Sequence, residues 1–373
     1  MEKQVNHGQQ LIKENNEKLL FKLVREHTSL SRADLKRLTG LSPTTVSSLA
    51  DELIARGLFV ETGIKEVKSS GRKATLMEIK PDGGYFICAD VGKKITTVEC
   101  LDLSFKVARH FETETTSLIP LAEKIKNTIL SFASKPKTKV IGVVIGVSAI
   151  VKHSRIISSS SLINTEGADT FVDILSSTLP DVPFYLQCDS NMKAYAETIS
   201  DKNLKDLISI DIDDGVGAGI LLKGRIFSGH DGAAGEFGHM SVDINGVECP
   251  CGNRGCLEPV ISIPAIVKRA KALDPSVESF SQIVYNTDKF ESVIKETAEY
   301  LSHGIVNLVN LFNPQEIVII GPITRLGDSF LEYLREVTYP RLTLNSATIN
   351  YSTVPGNPVT VGCAKYAFDH ILI

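Results

Sequence analysis

Three cysteines are crowded into one short segment of the chain. Cys249, Cys251 and Cys256 lie within eight positions, and two glycines between them allow the backbone to fold around an ion. His239, ten residues before the first of them, is available as a fourth ligand. Three sulfurs and one imidazole suit tetrahedral zinc, and four protein ligands indicate a structural rather than a hydrolytic metal. We therefore predict a structural zinc site, with unligated buried cysteines as the alternative.

A second group of reactive positions is a run of small hydroxyl residues near the N-terminus. They follow a turn glycine, Gly40, and lie at the start of a predicted helix. Ser42 is predicted to cap this helix, and Pro43 to occupy its first position. Such side chains approach base edges or phosphates in a DNA major groove without steric conflict, and arginine or lysine nearby adds phosphate contacts. The predicted DNA contacts are Arg32, Ser42, Thr44, Thr45, Ser47, Ser48, Arg72 and Lys73.

Three short helices and a hairpin are expected to position these hydroxyls. Apolar residues recur at helical spacing in 15–27, around Leu35 and from Val46 to Leu53. Predicted strands at 58–62 and 74–79 flank a polar, basic stretch that would form a wing. The pattern is typical of a winged helix-turn-helix bound to double-stranded DNA. The alternatives are a small helical bundle with a basic edge and a helix-turn-helix that contacts protein.

The rest of the chain has the pattern of a larger α/β domain. Predicted strands lie at 85–90, 96–101, 106–111, 140–147, 207–211, 217–223 and 316–320, and predicted helices at 118–133, 192–199 and 294–312. Antiparallel hairpins followed by alternating helices and strands predict a mixed sheet. At 373 residues the chain is expected to hold two or three domains.

Composition narrows the class of protein. Apolar residues make up 43% of the chain and charged residues 23%, as in ordinary globular proteins, and no apolar run is long enough to span a bilayer. The first residues lack the apolar core of a secretory signal, so we expect a cytoplasmic protein. Residues 1–80 carry 14 Lys and Arg against 10 Asp and Glu, although the whole chain has a net charge of −4. A positive front and a negative remainder favour a polyanionic partner for the front alone.

Two motifs together resemble the ROK family of bacterial repressors and sugar kinases. They are Gly-Glu-Phe-Gly-His at 235–239 and Cys-Pro-Cys-Gly-Asn-Arg-Gly-Cys-Leu-Glu at 249–258. The helix-turn-helix in front resembles the family's repressor branch, which includes xylose repressors. The resemblance implies a winged helix-turn-helix at 1–80 and a two-lobed, actin-like (ribonuclease H-like) sugar-kinase fold at 81–373. Lobe one would cover about 84–188 plus a C-terminal helix at 360–373, and lobe two about 189–359 with the zinc loop at 239–258.

The resemblance also implies a sugar site, a DNA partner and an assembly. The family's sugar contacts fall here on Cys188, Asp189, Glu236, His239 and Glu258, and its zinc ligands on His239, Cys249, Cys251 and Cys256. Cys188 stands where the family has asparagine, which removes a strong hydrogen-bonding group and alters the expected sugar preference. We expect a sugar or sugar phosphate between the lobes to change operator binding by a homodimer or a dimer of dimers.

The nucleotide side departs from the pattern of the family's kinases. Asp189 would be the general base of a kinase. The phosphate loops, however, read Asp-Val-Gly-Lys-Lys at 90–94 and Asp-Asp-Gly-Val-Gly-Ala-Gly at 213–219, so two carboxylates would face the phosphates. Gly321-Pro322 and Val147-Ser148-Ala149 also differ from the kinases' glycine pairs and turns. We expect a regulator without catalysis; the alternatives are an active sugar kinase fused to a DNA-binding domain and a regulator controlled by a protein partner.

Overall fold

The computed structural model describes residues 2–65, 74–158, 165–199, 201, 203–343 and 347–373. Contacts divide the chain into two compact units. Unit 1 runs to Gly146 and adds Glu166–Leu186 and Cys363–Ile373, and unit 2 comprises Val147–Thr165 and Gln187–Gly362. The domain and lobe limits inferred from the sequence stay predictions.

Helices and strands are interspersed along the chain, with runs of several strands and of several helices. The α-helices of the described residues are α1 Glu2–His27, α2 Arg32–Thr39, α3 Pro43–Ala55, α4 Leu118–Ala133, α5 Ala168–Ser176, α6 Asp189–Glu197, α7 Glu258–Ile261, α8 Ile263–Leu273, α9 Phe280–Val284, α10 Glu291–Phe312, α11 Asp328–Thr338 and α12 Pro358–Ala367. The strands are β1 Leu30–Ser31, β2 Phe59–Lys65, β3 Ala74–Ile79, β4 Tyr85–Val91, β5 Ile95–Asp102, β6 Val107–Glu114, β7 Val140–Val147, β8 Ile150–Lys152, β9 Arg155–Ser158, β10 Phe184–Cys188, β11 Leu207–Ile212, β12 Val216–Leu222, β13 Arg225–Ile226, β14 Glu316–Ile320 and β15 Thr348–Tyr351. This order confirms the predicted α/β class.

The front of unit 1 consists of α1, α2, α3 and an antiparallel sheet of order β1-β3-β2. The predicted helices and strands are confirmed, except that α1 begins at Glu2 and not near residue 15. Leu11 and Ile12 in its first half are 59% and 61% exposed. The first half of α1 shows no apolar repeat in the sequence, so sequence reasoning did not detect it.

Helix caps mark the start of α2 and both ends of the turn between α2 and α3. Ser31 caps α2 in a capping box with Asp34. α2 ends at Thr39, and its C-cap Gly40 has a φ of 71°, in the left-handed region that glycine tolerates best. Ser42 then accepts a hydrogen bond from the backbone N–H of Thr45 at 3.1 Å, and Pro43 occupies the first turn of α3. The sequence thus specifies where each helix begins and ends.

An aromatic cluster joins this front to the remainder of unit 1. Phe21 of α1 packs against Phe59 with ring centroids 4.9 Å apart, and against Phe368 at 6.3 Å. The Arg25 guanidinium lies 4.5 Å from the centroid of Phe105 and 5.2 Å from that of Phe368. Burial lowers the pKa of Arg25. These contacts form a cation–π arrangement that holds α1 against the C-terminal segment.

The larger sheet of unit 1 has the order β10-β7-β4-β5-β6, in which β4, β5 and β6 form an antiparallel meander. Helices α4 and α5 pack on one another beside it. The apolar strand β7 is almost entirely buried, as its uninterrupted Val, Ile and Gly residues predict.

Unit 2 is built on a mixed sheet of order β13-β12-β11-β14-β15. β11 pairs antiparallel with β12 and parallel with β14, and β14 pairs parallel with β15. Helix α10 supplies much of the core, and Gly304 on it leaves room for a ring: a Cβ there would lie 2.5 Å from Phe237. The mixed sheet predicted from the sequence is therefore confirmed.

Helix α12 contributes residues to both units. Its residues up to Gly362 belong to unit 2, and those from Cys363 belong to unit 1. The predicted C-terminal helix at 360–373 needs correction, because the α-helix ends at Ala367 and a π-helical turn covers Phe368–Leu372. That segment contains neither proline nor glycine, and we find no local sequence signal for the change. Among the described residues, none of the helices has the length and apolar character needed to cross a membrane.

Candidate functional site

The predicted metal ligands lie together in unit 2. One ligand atom from each of His239, Cys249, Cys251 and Cys256 lies within 4.8 Å of all the others. Cys249 Sγ is 3.6 Å from His239 Nδ1, and the Sγ atoms of Cys251 and Cys256 are 3.8 Å apart. This spacing suits four ligands around one small ion, so the structure brings the set together as the sequence predicted.

Glycine and short hydrogen bonds shape the loop that carries the thiols. The backbone N–H of Cys249 donates to the carbonyl of Asn253 at 2.8 Å. Gly255 has a φ of 72°, and a Cβ there would lie 1.7 Å from the carbonyl oxygen of Asp243. The tight turn therefore depends on glycine at this position.

The electrostatics of the thiols also suit a cation. Burial raises the pKa of the Cys256 thiol to about 12, and the neighbouring thiols of Cys249 and Cys251 add to the rise. A bound divalent cation stabilises thiolates and reverses such a shift. The donor set and its crowding therefore fit a metal, and this cluster could hold one.

His239 faces two groups at once. Its Nδ1 lies near Cys249, whereas its Nε2 is 3.9 Å from Glu236 Oε2. The ring sits at the end of a short 3-10 helix, Phe237–His239, which fixes its direction. One side chain thus connects the metal cluster to the carboxylates next to it.

Glu236, beside the histidine, is near enough to two other carboxylates to be affected by their charges. Burial raises the pKa of the Glu236 carboxyl; the His239 ring opposes this rise, while the negative charges of Glu258 and Asp189 add to it. Glu258 accepts a hydrogen bond from the backbone N–H of Val216 at 2.9 Å. Glu236, Glu258 and Asp189 therefore act on one region of unit 2, which is rich in hydrogen-bond acceptors.

Asp189 is held at the start of α6. The sequence placed this helix at 192–199, but it begins at Asp189 because the polar residues there suit a first turn without showing an apolar repeat. Asp189 Oδ1 accepts from the Ser190 backbone N–H at 2.7 Å and lies 3.6 Å from Cys188 Sγ. Burial raises the pKa of Cys188 to about 12, so the thiol stays protonated beside the carboxylate.

Sequence reasoning missed Lys193 and Asp211. Lys193 lies one helical turn after Asp189, and its Nζ forms an ion pair with Asp211 of β11. The side chains are only 15% and 16% exposed. The four-residue spacing from Asp189 was a detectable signal, but it required the helix to begin at Asp189.

The glycines of the second predicted phosphate loop have a packing role. A Cβ at Gly219 would lie 2.0 Å from the Ser190 carbonyl oxygen, and one at Gly217 would lie 3.0 Å from Ser190 Oγ. They let β12 approach α6 closely. Burial raises the pKa of Asp213 in the preceding turn, and the charges of Asp211 and Asp214 add to the rise.

The predicted DNA contacts fall into three groups. Ser42, Thr44 and Ser48 are exposed at the surface of α3 or its cap, and Thr45 and Ser47 are half-buried. Arg32 is already paired, with Asp51 at 2.6 Å and Glu61 at 2.7 Å. Arg72 and Lys73 lie outside the described residues.

Fold and site together define a class of protein: a helix-turn-helix with a small sheet, joined to an α/β domain in which one histidine and three cysteines cluster beside carboxylates. The chain belongs to the ROK family, whose sequence model matches residues 86–354.

Named relatives match this chain over most of its length. The xylose repressor of Bacillus subtilis (strain 168) is 28% identical, with 98% of this chain and 97% of the relative covered. The DNA-binding transcriptional repressor Mlc of Escherichia coli (strain K12) is 27% identical, with 85% of this chain and 83% of the relative covered.

Solved structures agree on the fold. A ROK family transcriptional regulator described as a homologue of the E. coli MLC protein has a TM-score of 0.82 at 24% identity and covers 97% of this chain and 98% of its own. A ROK hexokinase from Thermus thermophilus has a TM-score of 0.68 at 19% identity over 77% of this chain and 99% of its own. The α/β part thus has the actin-like fold of ROK proteins.

Proposed function

We propose that this protein is a DNA-binding transcriptional regulator, a repressor of carbohydrate-utilisation genes, whose operator affinity changes when it binds a sugar. One observation carries the proposal: the match to proteins named xylose repressors extends over 98% of the chain, including the capped helix-turn-helix. The exposed hydroxyls of α3 supply contacts to bases and phosphates.

The sugar binds at Cys188, Asp189, Glu236, His239 and Glu258. Sugar hydroxyls donate hydrogen bonds, and this group offers three carboxylates that act on one region. Cys188 contributes a protonated thiol, a weak donor, so the preferred sugar has no strong hydrogen-bonding need at that position. Xylose is the first candidate because of the relatives' names.

Zinc at the cluster of one histidine and three cysteines has a structural role. His239, Cys249, Cys251 and Cys256 would hold it, and four protein ligands leave no open position for substrate. The ion would fix the ring of His239 and so orient Nε2 toward Glu236 and the sugar. A thiolate site of this kind suits the reducing cytoplasm, where we place the protein.

Phosphoryl transfer has been lost. Asp213 and Asp214 form the turn where a kinase would receive phosphates, next to Asp211. At about 4 Å and an effective dielectric near 20, each contact between like charges costs about 4 kcal/mol. The competing proposal is an active kinase in which Asp189 is the base, and phosphate release from ATP that depends on added sugar would establish it.

Helix α12 offers a route from the sugar to the DNA-binding front. In unit 2, a Cβ at Gly362 would lie 1.9 Å from the Met192 carbonyl oxygen, so α12 packs tightly on α6, the helix of Asp189. In unit 1, Phe368 just beyond α12 contacts Phe21 of α1. A homodimer would then present two helix-turn-helices to paired half-sites, and only a sugar with different affinity for two conformations can change their spacing.

A thermal-shift screen tests the proposal. Xylose, glucose, N-acetylglucosamine, their phosphates and ATP with magnesium are each added to the wild type and to Glu236→Ala. A ligand at 100 times its dissociation constant stabilises a protein by about 2.7 kcal/mol, which such a screen detects. We expect one sugar to stabilise the wild type only. A shift with ATP would favour the kinase instead.

A further inference from the structure

One of the charged groups next to the proposed sugar site is a lysine placed among several acids. Lys193 of α6 forms its ion pair with Asp211 of β11, and both side chains are largely buried. Asp189 stands four residues earlier on the same helix, so Lys193 and Asp189 lie on the same face. Lys193 therefore supplies a positive charge beside Asp211 and on the same helix face as Asp189.

The charged and titratable groups around Asp189 come from several elements of unit 2. They include Lys193 and Cys188 on α6 and its cap, Asp211 on β11, and Glu236 in the segment before the 3-10 helix. Burial raises the pKa of Asp189, Lys193 lowers it, and Asp211 raises it. The positive charge of Lys193 therefore opposes this rise in the pKa of Asp189.

In the turn after β11, the charge of Lys193 likewise opposes the effect of neighbouring carboxylates. Burial raises the pKa of Asp213; the charges of Asp211 and Asp214 add to the rise and Lys193 opposes it. An uncompensated group of carboxylates attracts a divalent cation, as in phosphate-transferring sites. An ammonium group already paired with Asp211 makes such a cation unnecessary.

We propose that Lys193 is a positioning residue of the sugar site: its ammonium group pairs with Asp211 and favours the ionised form of Asp189, so that Asp189 accepts hydrogen bonds from a sugar hydroxyl without a divalent cation. The sugar part of this inference rests on the proposed function. The charge relation between Lys193 and Asp189 does not depend on it and can be measured without ligand.

The first test is a carboxyl titration of the ligand-free, full-length protein. Protein labelled with ¹³C at aspartate carboxyls is titrated by NMR, and Asp189→Asn assigns the signal. We expect the titration midpoint of Asp189 to move to higher pH in Lys193→Met and to stay near the wild-type value in Lys193→Arg. The double variant Lys193→Met/Asp211→Asn should return it toward wild type, because it also removes the nearby negative charge. Equal midpoints in wild type and Lys193→Met would overturn the proposal.

A second variant, Asp211→Asn, tests the same charge relation if Lys193→Met does not fold. Asp211→Asn retains the lysine and removes one negative charge, so the Asp189 midpoint should fall below the wild-type value. A midpoint that does not fall contradicts the charge relation as directly as the first result would. A purely structural role for Lys193 predicts neither this shift nor the recovery in the double variant.

The closing experiment measures xylose affinity by calorimetry across pH, in magnesium-free buffer without a chelator and in the same buffer with magnesium added. Wild-type affinity should be the same in both. Lys193→Met should bind about tenfold more weakly for each unit by which the Asp189 midpoint exceeds the working pH, and should recover in alkaline buffer. Identical pH profiles for the two proteins, or a magnesium requirement in the wild type, would refute the proposal. A wild type that binds no xylose would count against the proposed sugar, while the carboxyl titration still decides the role of Lys193.

Discussion

His239 is the residue on which the two halves of the site depend. Its Nδ1 belongs to the cluster of cysteines, and its Nε2 points to Glu236. An imidazole whose one nitrogen is fixed by a metal has a fixed tautomer and direction, so the other nitrogen has a defined role toward a ligand. Loss of the metal should therefore affect sugar binding as well as stability.

Removal of one thiolate tests this dependence. Cys256→Ser should lose the bound zinc, which we expect in the wild type at one ion per chain, and should unfold at lower temperature, because ligand and folding energies are linked. Metal content is measured by atomic emission and stability by thermal melting. Cys100→Ala, a buried cysteine outside the cluster, is the matched control and should keep its zinc. Full zinc content in Cys256→Ser would show that the cluster is not the metal site.

Glu197 provides a pH-dependent prediction. This acid is 4% exposed and accepts a hydrogen bond from Ser352 at 2.5 Å. Burial raises its pKa, so the folded state binds a proton more tightly than the unfolded chain, and stability falls as pH rises between the two pKa values.

The variant Glu197→Gln keeps the shape and removes the charge. We expect a higher melting temperature than wild type at neutral pH, with the difference disappearing as pH falls below the pKa of an unfolded glutamate. Melting curves from pH 4 to 8 measure it. A wild type that is the more stable protein at neutral pH would mean that the ionised carboxylate stabilises the fold.

For single residues, the spacing of the motifs allowed the clustered cysteines to be predicted. The sequence did not show which charged residues form ion pairs. The clustering of Cys249, Cys251 and Cys256 was predictable because tight loops bring nearby cysteines together. The pairing of Arg32 with Asp51 and Glu61 was not, because it depends on how α2, α3 and β2 pack. The role of Lys193 was hidden for the same reason.

The helix-turn-helix depends on the first turn of α3. Ser42 Oγ accepts the Thr45 backbone N–H and lies 2.8 Å from the hydroxyls of both Thr44 and Thr45. The cap therefore stabilises the helix and also orders the hydroxyls proposed to contact DNA.

Ser42→Ala separates the two effects when it is compared with Ser48→Ala on the same helix. Ser42→Ala should lower the free energy of unfolding by about 1 kcal/mol, because it removes an N-cap. Ser48 is exposed and is not the N-cap residue of α3, so its variant should unfold like wild type while still weakening DNA binding. Urea unfolding measures the first property. Equal stability of Ser42→Ala and wild type would contradict the capping role.

Elements with a clear apolar repeat were predicted closely. Helix α4, β7 and β14 have the bounds that their sequence indicates. The misjudged starts of α1 and α6 were polar: their first turns carry no apolar face, so no repeat marks them. The change to a π-helical turn at Phe368 had no local sequence signal. The helix caps could be predicted from the sequence, because Gly40 and Ser42 act through hydrogen bonds to residues nearby in the chain.

At the scale of the whole molecule, α12 is the element that belongs to both units. Gly362 on it packs against Met192 in unit 2, and Phe368 after it packs against Phe21 in unit 1. Sequence reasoning predicted a helix at this end but not these contacts, which join residues far apart in the chain.

Phe368→Leu tests whether this connection carries the response to sugar. The substitution keeps an apolar side chain and removes the ring contacts with Phe21, Phe105 and Arg25, so we expect a loss of about 1–3 kcal/mol of stability. Sugar affinity should be unchanged, whereas the effect of sugar on DNA binding should shrink. Calorimetry and DNA titration measure the two. An undiminished sugar effect would exclude this connection as the route.

The central claim is that one chain binds DNA and releases it in response to sugar. The most direct measurement is fluorescence anisotropy of a labelled duplex, selected from random DNA by the wild-type protein, with and without the sugar found by thermal shift. We predict that saturating sugar weakens wild-type DNA binding at least about fivefold, the lower range of ordinary coupling. Asp189→Asn should bind the DNA equally well and ignore the sugar. A wild type that selects no DNA, or binds it equally with and without sugar, would contradict the account.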